Sequence, residues 1–162
     1  MSQAIFVELQ PLIVATIRHT GPHDPRSTDD AWDRLILWAS PRRLLGRRTD
    51  IRGVGLLWDD PRIFESAARR YDVGVPIEAQ DAPQVESPAF VTVTMPGRYL
   101  QATHVGPYSE LRKTYDVVLG STLRYAGLEL VAAPIIELYR DSPAEVPEDD
   151  LHTDIMVPVV QL

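Results

Sequence analysis

The chain has 162 residues, a formal net charge of −7, 44% apolar residues and no cysteine. This composition supports a folded core, and it excludes disulfides, thiolate catalysis and cysteine-ligated metals. The acidic balance argues against nucleic-acid binding, which needs a basic surface, and no apolar run approaches the roughly 20 residues of a membrane span. No signal peptide is recognisable, so we expect a cytoplasmic protein of one domain over residues 1–162, with no direct binding to DNA or membranes.

The first half of the sequence predicts two strands, a helix and two further strands. Apolar and β-branched residues bounded by Pro, Gly and Asp indicate the strands. Apolar residues at helical spacing predict a helix that starts at Ser27, a favourable N-cap, and ends near Pro41. The four strands are expected at residues 5–9, 12–19, 51–58 and 71–77.

The second half repeats this order after a polar, proline-bearing linker at residues 78–89. A helix is expected to begin at Gly106-Pro107 and to end at Gly127, a residue typical of the C′ position. The strands are expected at residues 90–94, 98–104, 132–140 and 153–160.

Residues 5–77 recur as residues 90–159, which indicates an internal duplication. At an offset of 85 the chain repeats Pro11, His19, Gly21 and Pro22 as Pro96, His104, Gly106 and Pro107. At an offset of 82 it repeats Leu56, Asp59, Pro61, Asp72, Val75 and Pro76 as Leu138, Asp141, Pro143, Asp154, Val157 and Pro158. Two such units predict an α+β fold: one mostly antiparallel sheet of about eight strands, two main helices on one face, and a concave face with a ligand cleft on a pseudo-twofold axis.

Glu137 is the strongest single candidate for a binding residue, because it interrupts an apolar strand. Alternation places it on the face opposite Ile136 and Leu138, so it faces an open groove if the helices cover those two residues. Its repeat equivalent is Gly55, which leaves room for a ligand. A carboxylate in an apolar groove has a raised pKa or binds a cation or a proton donor. The alternative is a solvated glutamate on an exposed sheet face, paired with an arginine.

Aromatic side chains are the second candidate feature. Beside a carboxylate, such rings bind flat, cationic or apolar compounds by stacking and cation–π attraction. The candidates for the groove wall are Trp58, Tyr71, Tyr99, Tyr108, Tyr115, Tyr125 and Tyr139. Most aromatic residues are ordinary core: Tyr115 fits the buried stripe of its helix, and Trp32 and Trp38 are assigned to the core.

Other motifs indicate structure rather than chemistry. His19 and His104 precede Gly-Pro in both halves, which favours hydrogen bonding at a strand end. No two histidines have the helical spacing of a zinc site, so we expect no metal and no cofactor. The arginines between residues 42 and 48 are expected in a solvated loop rather than a phosphate site. The acidic run 145–154 is expected to be solvated too, although it could present charge to a protein partner.

Six segments of the chain carry a shared pattern of motifs: Arg18–Pro22, Gly53–Pro61, Tyr71–Pro76, His104–Tyr108, Glu137–Tyr139 and Asp154–Pro158. Together they resemble the GyrI-like small-molecule-binding family, which includes the effector-binding domain of AraC- and MerR-type regulators. The resemblance implies two strand–helix–strand–strand modules around a pseudo-twofold cleft. It also implies that a buried glutamate, here Glu137, meets the ligand, and that Tyr108 and Tyr139 occupy motif positions.

The resemblance implies three alternative functions. The first is a standalone small-molecule-binding protein for hydrophobic or cationic compounds. The second is a hydrolase of cyclopropane-bearing alkylating toxins, with Glu137 as general base and Tyr108 polarising the substrate. The third is a protein partner of DNA gyrase that acts through an acidic loop. Since the chain starts at the first strand of the domain, we expect no helix-turn-helix; a ligand-free remnant with a self-filled cleft is the remaining alternative.

Overall fold

The computed structural model describes residues 4–22, 25–62 and 67–161. Within these residues one sheet of nine strands forms the body of the protein, in the order β1-β6-β9-β8-β3-β4-β2-β5, with β7 attached to β9. The strands are β1 (Ile5–Leu9), β2 (Ile13–Thr20), β3 (Gly53–Leu57), β4 (Arg70–Pro76), β5 (Phe90–Val93), β6 (Gly97–Val105), β7 (Leu128–Leu130), β8 (Ile135–Tyr139) and β9 (His152–Gln161).

The predicted α+β class and antiparallel sheet are confirmed, since every strand pair described is antiparallel. The extra strand relative to the expected eight is β7. It pairs only with the end of β9 and has three residues, Leu128 to Leu130, which is too short for alternation to be recognised.

The predicted helices are present with different bounds. The first, α1 (Pro25–Ala39), begins two residues before Ser27, because proline suits the first helical position. The second is a continuous helical path of α2 (Leu111–Tyr115), a π-helix (Asp116–Thr122) and α3 (Leu123–Ala126), and it ends at Gly127 with φ 65° as expected. Short 3₁₀ turns lie at Ser40–Arg42, Ala79–Gln84, Tyr108–Glu110 and Glu148–Asp150.

The two halves exchange their first strands. β1 pairs with β6 of the second half, and β5 pairs with β2 of the first half. At the centre of the sheet β3 pairs with β8, and Gly55 lies directly opposite Glu137. These two residues are repeat equivalents, so the pseudo-twofold axis of the proposed duplication passes between them.

Both helical regions pack on one face of the sheet, as predicted. Leu35 of α1, Leu111 of α2 and Ile135 of β8 belong to one buried cluster. Ile136 and Leu138 belong to a second cluster on the opposite face. The helices therefore cover the face that carries Ile135 and Glu137, and the expectation that Glu137 faces an open groove opposite the helices is wrong. All five residues of β8 are buried, so alternation alone could not tell which face the helices cover.

Three arginines of the loop at residues 42–48, and Arg52 just after it, form ion pairs with carboxylates of the chain. The pairs are Arg42–Glu86, Arg47–Asp81, Arg48–Asp50 and Arg52–Glu145. The side chains of these arginines are 31–42% exposed, which agrees with the predicted solvated loop rather than a phosphate site, and Glu145 of the acidic segment makes an intramolecular contact. Among the described residues, no helix is long and apolar enough to cross a membrane.

Candidate functional site

Glu137 lies in the middle of β8 and is only 2% exposed. Its side chain points from the sheet towards α2, where the Tyr115 hydroxyl donates a hydrogen bond of 2.6 Å to Oε1. The Tyr139 hydroxyl donates a short hydrogen bond to Oε2. Each carboxylate oxygen therefore accepts a phenol hydrogen inside the protein.

The hydrogen bonds extend from Glu137 through two further aromatic residues. The hydroxyl oxygens of Tyr71 and Tyr139 are 2.6 Å apart. Since the Tyr139 hydrogen is given to Glu137, the Tyr71 hydroxyl must donate to Tyr139. A hydrogen bond from Trp32 to Tyr71 continues the chain of donors.

Glycines on β3 make space for these rings. A Cβ atom on Gly55 would lie 2.6 Å from the Tyr139 hydroxyl and 2.9 Å from the Tyr71 ring. A Cβ atom on Gly53 would lie 2.8 Å from the Trp32 ring. The prediction that Gly55 leaves an empty position is therefore wrong, because tyrosine hydroxyls fill that space.

Two partly exposed rings form the rim of the site. Tyr108 and Trp32 each meet the Tyr139 ring edge-on, with ring centroids 5.5 Å apart. Tyr108 is 38% exposed and Trp32 is half-buried, whereas Tyr139 is buried. The rim is therefore a partly exposed side of the site that lies against the buried Tyr139 ring.

Burial raises the pKa of Glu137, because the carboxylate loses its hydration. The hydrogen bonds from Tyr115 and Tyr139 and the positive charge of Arg69 oppose this shift. Arg69 is itself 2% exposed, so the site contains two buried groups of opposite charge. Burial raises the pKa of Tyr108 to about 12 and those of Tyr115 and Tyr139 well above the usual value, so these phenols remain hydrogen-bond donors at neutral pH.

The raised pKa of Glu137 gives the stability of the protein a specific pH dependence. The pKa of Glu137 is about 4.3 in the unfolded chain and higher in the folded protein. At pH values between these two, the folded state binds more protons than the unfolded state, so the free energy of unfolding falls as the pH rises. The stabilising contribution is complete below the unfolded pKa and is lost as the pH rises through the folded pKa. Urea unfolding from about pH 4 to pH 8 should show this slope in the difference between wild type and Glu137→Gln.

Carboxylates with a lowered pKa, such as those of Asp50 and Asp60, make the free energy of unfolding rise with pH. These groups are present in both the wild type and Glu137→Gln, so their effect cancels when the two free energies are subtracted. A difference that is flat with pH, or that grows as the pH rises, would contradict the assignment of this slope to Glu137.

The structure brings together six of the residues that the sequence analysis singled out: Glu137, Tyr139, Tyr108, Tyr71, Tyr115 and Gly55.

Trp58 and Tyr99 are not among them, so the prediction that they line the same site is wrong. The indole N–H of Trp58 donates to Asp72 at 2.7 Å, outside the hydrogen-bond network of Glu137. Tyr99 belongs to the cluster on the opposite face, and its hydroxyl donates to the carbonyl oxygen of Met95. The other aromatic candidate on the helices, Tyr125, is 89% exposed.

Trp32 was assigned to the core and Arg69 was missed, whereas Tyr115 was a candidate for the groove wall that also fitted the buried stripe of its helix. A buried tyrosine needs a partner for its hydroxyl, and this requirement could have linked Tyr115 to the one carboxylate on the facing strand. Arg69 lies two residues before Tyr71, so it shares that side of the chain where β4 begins. The sequence offered no signal for Trp32 beyond its place on the buried side of α1.

The histidines have the structural role predicted for them. Nε2 of His104 donates to the carbonyl oxygen of Pro107 at 3.0 Å, and His19 makes the equivalent bond to Pro22 at 3.2 Å. Nδ1 of His104 forms a hydrogen bond of 2.8 Å with the Thr114 hydroxyl. Among residues 4–22, 25–62 and 67–161, no group of three acidic or histidine side chains is placed to hold a metal ion.

Sequence comparison places almost the whole chain in one family. A family model described as the GyrI-like small molecule binding domain matches residues 3–160. YgiV of Escherichia coli (strain K12), a probable transcriptional regulator, is 29% identical over 105 residues. The match covers 65% of this chain and 65% of YgiV, slightly less than two thirds of that relative.

Solved structures share the fold at low sequence identity. The EcmrR C-terminal domain has a TM-score of 0.71 and 18% identity, over 99% of this chain and 98% of that domain. The structure of SAV2435 bound to tetraphenylphosphonium has a TM-score of 0.69 and 16% identity, over 98% of this chain and 94% of SAV2435. At these identities the likeness shows a common fold.

Proposed function

We propose that this chain, which belongs to the GyrI-like family of small-molecule-binding domains, binds a hydrophobic or cationic compound beside Glu137. Tyr139, Tyr108 and Tyr71 would contact the compound, and Gly55 gives the two buried tyrosines their positions. The observation that carries the proposal is a carboxylate only 2% exposed whose two oxygens each accept a phenol hydrogen.

The energetics of this carboxylate favour a binding role. Burying the charge of Glu137 costs folding free energy, because the hydration of the carboxylate is lost. Titratable groups with perturbed pKa values cluster at functional sites. A cation beside Glu137 would gain electrostatic energy in a poorly hydrated environment, and the faces of Tyr139 and Trp32 would add stacking and cation–π attraction. The net charge of −7 would also attract cations from solution.

A ligand would enter through the rim. Tyr108 and Trp32 pack edge-on against Tyr139, so rotation of these two side chains would open a path towards the Tyr139 hydroxyl and Glu137. SAV2435, which shares the fold, was solved with tetraphenylphosphonium, and this supports a lipophilic cation as the first compound to test.

The deciding experiment is calorimetric titration of tetraphenylphosphonium into the wild type and into Glu137→Gln. The wild type should bind one equivalent, and the variant should bind at least about tenfold more weakly, since a charge-assisted interaction is lost. Glu86→Gln is the matched control, because Glu86 is an exposed partner of Arg42 and its loss should leave the affinity unchanged. Equal affinities of wild type and Glu137→Gln would refute the proposal.

Hydrolysis of cyclopropane-bearing alkylating toxins is the second candidate, and the raised pKa of Glu137 favours it. In this reaction Glu137 takes a proton from water, the water oxygen bonds to a ring carbon, and the ring C–C bond breaks towards a conjugated carbonyl. A phenol such as Tyr108 would donate to that carbonyl. General-base assistance is typically worth about 10²–10⁴-fold. Mass spectrometry of the ring-opened product tests this candidate, and a rate no faster than in buffer would exclude it for the compound used.

Inhibition of DNA gyrase stays a prediction of the family resemblance. A supercoiling assay with excess protein tests it.

A further inference from the structure

Thr153 of β9 carries a buried hydroxyl that makes no hydrogen bond within the described part of the chain. Its side chain is 0% exposed. Other buried threonines are satisfied: the Thr16 hydroxyl donates to the carbonyl oxygen of Phe90 at 2.9 Å, and that of Thr114 bonds to His104. A buried polar atom without a partner costs folding free energy, and few such atoms occur in native proteins.

The sheet register places Thr153 at the candidate site. It lies directly opposite Tyr139 on β8 and opposite His104 on β6, and opposed residues of an antiparallel pair share a face. Glu137 is opposite Ile155, two residues further along β9 on the same face. The hydroxyl of Thr153 is therefore next to the hydrogen-bond network of the site without being part of it.

The sequence repeat gives Thr153 an equivalent residue in the first half of the chain. At the offset of 82 its equivalent is Tyr71, whose hydroxyl donates to Tyr139. The two copies thus present one hydroxyl on each side of the central β3–β8 pair, and the hydroxyl from the first copy already has its partner.

The neighbours of Thr153 determine the role that its hydroxyl can take. Both ring nitrogens of His104 are used, one by Pro107 and the other by Thr114. The Tyr139 hydroxyl donates to Glu137 and accepts from Tyr71, and it makes no hydrogen bond to Thr153. The hydrogen of Thr153 is therefore available to an acceptor that arrives with a ligand.

We propose that Thr153 is a specificity-determining residue whose hydroxyl donates to an oxygen of the bound compound. The preferred ligands then carry a carbonyl, ester or ether oxygen beside their aromatic part. This inference rests on the proposed binding function, and it narrows the class of compound that the site selects.

The test measures thermal stability and ligand affinity in the same variants. Two cationic probes are used: rhodamine 6G, which has ester and ether oxygens, and tetraphenylphosphonium, which has no hydrogen-bond acceptor. Thr153→Val should raise the melting temperature of the free protein by roughly 3 °C, because an unsatisfied hydroxyl is removed. This variant should bind rhodamine 6G about tenfold more weakly than the wild type, and its affinity for tetraphenylphosphonium should stay within about twofold of the wild-type value.

Two variants serve as controls. Thr153→Ser keeps the hydroxyl and should retain rhodamine 6G affinity. Thr16→Val removes a satisfied buried hydroxyl, so it should lower the melting temperature and leave both affinities unchanged.

Each alternative outcome has a defined meaning. If Thr153→Val lowers the melting temperature, the hydroxyl has a structural partner and the inference is overturned. The inference is also overturned if Thr153→Val binds both probes with wild-type affinity, or if its affinities for both probes fall equally. In either case the proposed function stands, provided that Glu137→Gln still binds tetraphenylphosphonium more weakly than the wild type does. If the wild type binds neither probe, the proposed function fails and the inference fails with it.

Discussion

Gly55→Ala should abolish ligand binding while leaving a folded protein. The new Cβ atom would lie 2.6 Å from the Tyr139 hydroxyl and 2.9 Å from the Tyr71 ring, so both rings must shift. The hydrogen bond from Tyr139 to Glu137 would then break, and a buried carboxylate would lose one of its two phenol donors. We expect the affinity for tetraphenylphosphonium to fall by about 100-fold or more, and the free energy of unfolding to fall by about 2–4 kcal/mol.

Gly74→Ala is the matched control for this substitution. A Cβ atom on Gly74 would lie 2.3 Å from Cγ1 of Val14 and 3.1 Å from the backbone oxygen of Ala15. Val14 belongs to the cluster on the face away from Glu137. Gly74→Ala should therefore destabilise the protein at least as much as Gly55→Ala, and the folded fraction should still bind tetraphenylphosphonium. Calorimetric titration well below both melting temperatures distinguishes the two variants, and wild-type affinity in Gly55→Ala would show that the tyrosine positions do not matter.

Asp72→Ala should cause the largest loss of stability at a site remote from the ligand. Asp72 is fully buried, and its carboxylate accepts Nε and Nη2 of Arg18 at 2.8 and 3.0 Å and Nε1 of Trp58 at 2.7 Å. Its removal leaves three donors without their acceptor. Breaking a buried ion pair costs about 3–5 kcal/mol, and we expect the lower end of that range because Arg18 is 40% exposed and can be hydrated.

The repeat supplies an internal comparison for Asp72. Its equivalent, Asp154, accepts the Thr103 hydroxyl at 2.6 Å and Nε of Arg140 at 2.7 Å. Asp154 is more exposed, so Asp154→Ala should cost roughly half as much. Urea unfolding measures both variants. A loss of less than about 1 kcal/mol in Asp72→Ala would mean that this carboxylate contributes little beyond its packing.

The sequence was sufficient to find the central pair of the site. A constant offset made Gly55 and Glu137 equivalent, and the structure places them directly opposite each other across β3 and β8. The backbone signals of Pro and Gly carried this inference, because turn positions tolerate few other residues. The repeat identified the two positions as equivalent, and their direct pairing across β3 and β8 is a finding of the structure.

The environment of Glu137 could not be predicted in the same way. Alternation separates Glu137 from Ile136, but it does not say which of the two faces the helices cover when both faces are buried. Tyr115 and Tyr99 illustrate the same difficulty, since both are buried aromatic residues. The two tyrosines lie on opposite faces of the sheet, so Tyr115 forms its hydrogen bond with Glu137 and Tyr99 forms its hydrogen bond with Met95.

The reciprocal pairing of β1 with β6 and of β5 with β2 bears on how such a chain could arise. A half-length ancestor with this pairing would have been an obligate homodimer, because each half lends a strand to the other. In that dimer the residue now at Gly55 or Glu137 would have faced its own copy: two acids a few ångströms apart, which repel each other, or two glycines with no acid at all. The predicted duplication would have freed the two positions to diverge, so that one could keep a carboxylate while the other became a glycine that leaves space for the neighbouring tyrosine rings.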